Sequence, residues 1–417
     1  MRLQSSSQKD LSIVEQDLEY LSDGIEGRSS NPVALLFDAL THPDADMGIE
    51  TPSTLRWERK KDKVIDHVVL GKGEEGGVWQ MLDGKVQTLS LGPWMELPGM
   101  SFRDWLSEYR SSKAREHTPV YNHDRASMDE VKHYYMAYVL KKGLTPYFAN
   151  RSVVTSVERW EVRGYRTSIA EDSSIQTNKF YYRAPNVVLA TGTFDKPNSL
   201  RVPGERLPYV LHSITELENK IRSELGPTSD PVVIIGAGLS AADAILYALS
   251  HGIPVVHVFR RSASDPQIVY KQLPTKLYPE YHRVHSLMSA EESEDGQYKA
   301  YPQSSIGQFM SDRNLTIRNL HTNMDTVLQV SCAVVLIGSR PDLSFLPGDG
   351  KNLGRVPGMP IDSKHNPIDV DPMTYQSTHD PGLFALGPLT GDNFVRFLRG
   401  GALAITAHLW RQREGLL

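Results

Sequence analysis

Cysteine is almost missing from this chain: Cys332 stands alone among 417 residues. One thiol forms no intrachain disulfide, no Cys-x-x-Cys redox pair and no thiolate zinc site, so the composition suits a reducing compartment and disfavours dithiol chemistry. A basic surplus is missing too. With 45 Lys and Arg against 50 Asp and Glu the formal charge is −5, and no basic stripe interleaved with aromatics marks a nucleic-acid surface. The longest apolar candidate for a membrane span, Val232 to Leu249, is interrupted by glycines and Asp243. The opening MRLQSSSQKD is too polar for a secretory signal. None of the 14 histidines takes His-Glu-x-x-His or comparable spacing; His282 and His285 lie three apart and read as surface residues. These absences predict a cytoplasmic protein with no nucleic acid, membrane span or metal.

What is present concentrates in VVIIGAGLSAADA, Val232 to Ala244. Four β-branched residues predict a buried parallel strand, and Gly236, Gly238 and Ala241 fill the small positions of G-x-G-x-x-G/A. The first permits the tight turn, the second lets a pyrophosphate approach the backbone, and the third allows close packing of strand and helix. Leu239 and Ser240 open the following helix, whose free N–H groups and positive dipole end favour phosphate. The context fits a nucleotide-binding βαβ unit: a helix over 240 to 250, Gly252 as its stop, then a second strand from Val255 to Phe259. That strand ends in Arg260 and Arg261, where an NAD site normally carries an acid for the ribose 2′-hydroxyl. Two guanidiniums predict a 2′-phosphate instead, hence NADPH.

Elsewhere, Leu11, Val14, Leu18 and Leu21 fall at helical spacing, and NPVALLFDAL at 31 to 40 reads as a second short amphipathic or buried element. Ser127 and Glu130 form a capping box for a helix that buries Val131, Tyr134, Tyr135 and Tyr138 and stops at Lys141 to Gly143. Strands are expected at 152 to 158 and 178 to 183 with a polar hairpin between them, and at 186 to 192. SAEESEDGQ, 289 to 297, reads as an exposed loop. Apolar strands ending in glycine recur from Ala333 and from Gly382, and ALAITAHLWRQ closes the chain as a helix. HVVLGKGEEGGVW, 67 to 79, also carries G-x-G-x-x-G spacing, but Asp83 and Gly84 interrupt the place of a Rossmann helix. A glycine turn feeding a hairpin is the better reading.

Gly76-Gly77-Val78-Trp79, Ala190-Thr191-Gly192, Pro203-Gly204, the central fingerprint and the closing 382 to 392 segment occur in the order of two-dinucleotide flavoproteins such as the flavin-containing monooxygenases. More narrowly, DLEYLSDGIEGRSSNPVALLFDAL, NVVLATGTFDKP, KLYPEYH, LSFLP and GPLTGDNFVRF make the chain resemble the oxidative stress-induced growth inhibitor family from about residue 12 to 405. The resemblance implies an α/β fold of two Rossmann-like dinucleotide-binding domains. An NADPH domain, 206–338, is inserted in a discontinuous FAD-type domain, 1–205 and 339–417. It further implies Gly76, Gly77 and Trp79 near the flavin, Thr191 and Gly192 at a strand end facing nucleotide, and Gly387 and Asp392 at the ribityl chain or pyrimidine edge. The first FAD fingerprint of such proteins is expected N-terminal to residue 11. MRLQSSSQKD does not supply it, so the expectation is an N-terminally incomplete FAD-type domain with weak FAD affinity.

Three functions are compatible with this reading. One, which the resemblance implies, is an NADPH- and FAD-dependent monooxygenase linked to cell growth, differentiation and division, in which one oxygen atom passes to a soft nucleophile in a small-molecule or protein substrate; no general base is identifiable. Another is a regulatory interaction protein that keeps the fold and an NADPH site without turnover, with protein partners; for either, the family resemblance implies a place at the midbody. The third, a flavin disulfide reductase, is disfavoured by the single cysteine.

Overall fold

The computed structural model describes residues 12–47, 49–82, 87–112, 125–159, 161–170 and 173–416. Residues 1–11, where the first fingerprint was sought, lie outside these, as do Asp83 and Gly84. The chain divides into two compact units, one of residues up to Asp195 and from Pro341 onward, the other of Lys196 to Arg340. Residues 196–205 thus go with the second unit rather than the first, because Lys196 and Pro197 pair antiparallel with Arg340 and Ser339.

The second unit is built on five parallel strands, in the order Val210–Leu211, Cys332–Val335, Val232–Ile235, Val255–Val258, Tyr298–Tyr301. The three central strands are buried along their whole length, as apolar β-branched runs covered on both faces should be. Helices Leu239–Ser250 and Pro279–Ala290 belong to this layer, the second with proline in its first turn. Residues 289–297 finish that helix and turn, mostly exposed, into the edge strand. An antiparallel sheet of Ser304–Phe309, Asn314–Asn319 and Asp325–Gln329 completes the unit.

The first unit contains two short parallel pairs, Val69–Leu70 with Phe148–Ala149 and Val187–Leu189 with Leu383–Ala385. The expected polar hairpin is instead a full strand, Glu161–Ile169, between Ser152–Glu158 and Ile175–Arg183. Ser127 and Glu130 form the expected reciprocal cap on helix Met128–Lys141. Val131 and Tyr134 are fully buried there, but Tyr135 and Tyr138 only partly. The 67 to 79 segment carries no long helix, only a short 3-10 turn at Gly77–Gln80. The turn of the hairpin expected after it, at Asp83 and Gly84, lies outside the described residues; beyond it Gln87–Leu91 pairs with Arg125–Ser127. Leu18 to Leu21 lie in a five-residue helix, and Val14 in a separate turn before it.

Helix Pro32–Thr41 crosses the C-terminal helix Val395–Arg413 closely enough that a Cβ on Gly400 would lie 2.2 Å from the Ala34 Cα. Leu36, Phe37 and Leu40 from the first helix share a core with Leu403, Ala404 and Ile405 from the second.

Candidate dinucleotide site

Strand order decides where a site forms in the second unit. From Val232–Ile235 the chain moves outward to Val255–Val258 and Tyr298–Tyr301, then returns to lay Cys332–Val335 on the other side. The crevice opens at the carboxyl ends of the two strands where the order reverses. Gly236 stands there with φ 129°, and a Cβ on it would come 2.2 Å from the Leu336 carbonyl oxygen. Only glycine satisfies both constraints. Gly238 differs: it is the extended residue before the helix, exposed, and a Cβ there would meet nothing within 4 Å. That is open space on the side of a helix start. Leu239 and Ser240 begin the helix, where N–H groups have no intrahelical acceptor, and Ala241 is buried. A pyrophosphate fits this cradle.

Arg260 and Arg261 follow the second strand and are both exposed. The Arg261 guanidinium stands 4.0 Å from the Asp265 carboxylate, a loose pair. All seven fingerprint and arginine positions therefore belong to one edge of one sheet.

Sequence reasoning missed the side chains behind this edge. His257, fully buried in the second strand, places Nε2 2.6 Å from the Gly236 carbonyl and Nδ1 2.8 Å from the Tyr298 hydroxyl. A carbonyl only accepts, so Nε2 carries the proton and Nδ1 accepts from the tyrosine. Burial lowers the pKa of His257 to about 4, which keeps this tautomer neutral. Tyr270, also fully buried, donates to the Gly238 carbonyl at 2.6 Å. The available signal was a histidine inside the apolar run VVHVF. His282 and His285 approach loop carbonyls as well, at Leu273 and Ala263.

In the first unit Gly76 and Gly77 have φ 109° and 58° and lead into the turn bearing Trp79. Trp79 is half-buried, 6.2 Å from the Tyr135 ring, against a cluster containing Met95, Phe102 and Tyr134. Thr191 and Gly387 each lie two residues beyond the paired positions Leu189 and Ala385, so they share the end of one parallel pair. Thr191 is exposed, and a Cβ on Gly192 would meet nothing within 4 Å. Asp392 is buried and accepts from Ser29 Oγ at 2.6 Å and from Asn31 Nδ2 and Tyr375 OH at 2.8 Å. Burial raises its pKa against these three donors. Its carboxylate is thus engaged within the chain. The open glycines fit a cofactor; the Asp392 carboxylate has little left to offer one.

Cys332 lies within the sheet, and desolvation pushes its thiol up to about 12. Among the described residues no group of three or more His, Cys, Asp or Glu is placed to hold a metal. No described helix is long and apolar enough to cross a membrane.

Residues 107–387 match the family model for pyridine nucleotide-disulphide oxidoreductases. Among solved structures, the bacillithiol disulfide reductase of Bacillus cereus is similar at TM-score 0.59 and 18% identity, covering 91% of this chain and 96% of that one. The ornithine hydroxylase of Pseudomonas aeruginosa is similar at 0.55 and 12%, covering 93% and 98%. The fold is that of two-dinucleotide-binding flavoprotein oxidoreductases, which implies flavin and nicotinamide dinucleotide binding. The chain is 47% identical over 419 residues to human oxidative stress-induced growth inhibitor 1, with 96% of this chain and 86% of that protein covered. It belongs to the oxidative stress-induced growth inhibitor family.

Proposed function

We propose that the chain is an NADPH-dependent, flavin monooxygenase-like protein whose activity bears on cell growth, differentiation and division. The observation that carries this reading is the pair Arg260 and Arg261, exposed at the end of the strand beside the glycine turn. Gly236, Gly238, Leu239 and Ser240 receive the pyrophosphate, Ala241 keeps the helix close, and the two guanidiniums take the 2′-phosphate. Gly76, Gly77, Trp79, Thr191, Gly192 and Gly387 line the FAD side, with Asp392 bracing it from within. When bound, NADPH would supply a hydride to the flavin, and the reduced flavin would supply the two electrons by which one atom of dioxygen goes to a nucleophilic substrate and the other to water. The chain's own residues bind, orient and exclude water. The growth role is supported by the 47% identity to human oxidative stress-induced growth inhibitor 1. Reduction through a protein dithiol is disfavoured by the lone, buried Cys332.

The test titrates NADPH and NADH into the full chain and into the R260A/R261A variant. Each charge-assisted hydrogen bond contributes about 1.5 to 3 kcal/mol before screening, and exposure reduces this. The variant should therefore bind NADPH about tenfold or more weakly while NADH changes little. Equal losses would overturn the cofactor assignment. NADPH binding without NADPH oxidation, in the presence of added FAD and oxygen, would favour the regulatory alternative.

A further inference from the structure

Two carbonyls of the glycine turn are held from behind by side chains of other elements. The Gly236 carbonyl accepts from His257 in the second strand; the Gly238 carbonyl accepts from the Ala241 and Ala242 N–H groups of its own helix and, in addition, from Tyr270 in the loop that follows the arginines. Each holder is fixed in turn. His257 accepts from the Tyr298 hydroxyl in the edge strand, and the Tyr270 ring stacks on Tyr281, 6.2 Å away in helix Pro279–Ala290. None of these rings is exposed.

Glycine peptides rotate easily, and a peptide rotated the wrong way would point its oxygen at the phosphates, where repulsion replaces a hydrogen bond. A donor on the carbonyl removes that freedom, because the N–H and C=O of one peptide plane point in opposite directions. We propose that His257 and Tyr270 are positioning residues for dinucleotide binding, fixing the peptide planes of the glycine turn so that its N–H groups face the pyrophosphate. This rests on the dinucleotide reading of the site and deepens it. It also separates two tasks: the arginines select the 2′-phosphate, whereas His257 and Tyr270 act on the pyrophosphate that NADPH and NADH share.

The experiment measures dissociation constants for NADPH and NADH by calorimetry, with thermal midpoints recorded without nucleotide, on the full chain and on Y270F, H257M and H257Q. Y270F keeps the stacked ring and loses the donor. H257M keeps bulk without a donor, while the H257Q side-chain amide again reaches the Gly236 carbonyl. Loss of one such hydrogen bond corresponds to about 5- to 10-fold in affinity. Y270F and H257M should weaken both nucleotides by that factor equally, and H257Q should regain most of the loss. Lower thermal midpoints with unchanged dissociation constants would assign the pair a structural role only and overturn the inference. So would H257Q binding as weakly as H257M. If the unaltered chain binds neither nucleotide, the dinucleotide reading fails and the inference with it; if the unaltered chain binds and the variants match it, the inference alone fails.

Discussion

A histidine held neutral inside a strand ties stability to pH. The pKa of His257 falls from the ordinary 6.5 to about 4 through burial. In the unfolded chain the ring takes up a proton as pH drops below about 6.5, whereas the folded chain resists until about 4. Between these values the unfolded state binds more protons, so stability is lost as pH falls through that window and is fully present above it. The size is on the order of 3 kcal/mol. Denaturant unfolding of the full chain between pH 7 and 4.5 should show this decline, and H257M should be less stable at pH 7 but flatter across the range. A variant as steep as the parent would show that other groups carry the slope. The opposite logic holds at Asp392, whose pKa is raised by burial although three donors surround it.

Helix Pro32–Thr41 and the C-terminal helix meet at backbone distance. G400A would press a methyl against Ala34, with its Cα 2.2 Å and its N 2.8 Å away, and backbone atoms give way only if the helices separate. We expect a loss of about 2 to 3 kcal/mol in the unfolding of the first unit, with NADPH affinity unchanged because the dinucleotide cradle lies in the second. An unchanged denaturation midpoint would refute the packing argument. Elements differ in how far the sequence discloses them. The Val232–Ile235 strand, its turn, the Leu239–Ser250 helix and the Val255–Val258 strand were legible because glycine spacing, β-branched runs and a helix stop all act within 30 residues. The reciprocal cap at Ser127 was legible for the same reason. Glu161–Ile169 was not, since EVRGYRTSI is polar enough to pass for a loop, and its pairing on both sides is what holds it extended. The partners of Asp392 were hidden by distance: Asn31 is 361 positions away. The clamps on the glycine turn were hidden too, because period and propensity do not tell which ring reaches which carbonyl.

On the scale of the whole molecule, the second unit carries its own sheet, its own core and every residue of the dinucleotide cradle. Its two ends are paired to each other through Lys196–Pro197 and Ser339–Arg340. A fragment of residues 196–340 should therefore unfold cooperatively and bind NADPH within a few-fold of the full chain, which circular dichroism and calorimetry would check; a molten or non-binding fragment would refute its autonomy. The outer unit depends on residues from both sides of the inserted one: Val187–Leu189 needs Leu383–Ala385, and Leu36, Phe37 and Leu40 need Leu403 to Ile405. Synthesis runs from one end at roughly 5 to 20 residues per second. The inserted unit is consequently complete on the ribosome while the outer unit, begun earlier, still waits with a helix face of leucine and phenylalanine uncovered. That face stays open until helix Val395–Arg413, which follows the inserted unit in the chain, has been made and brings Leu403 to Ile405 onto it.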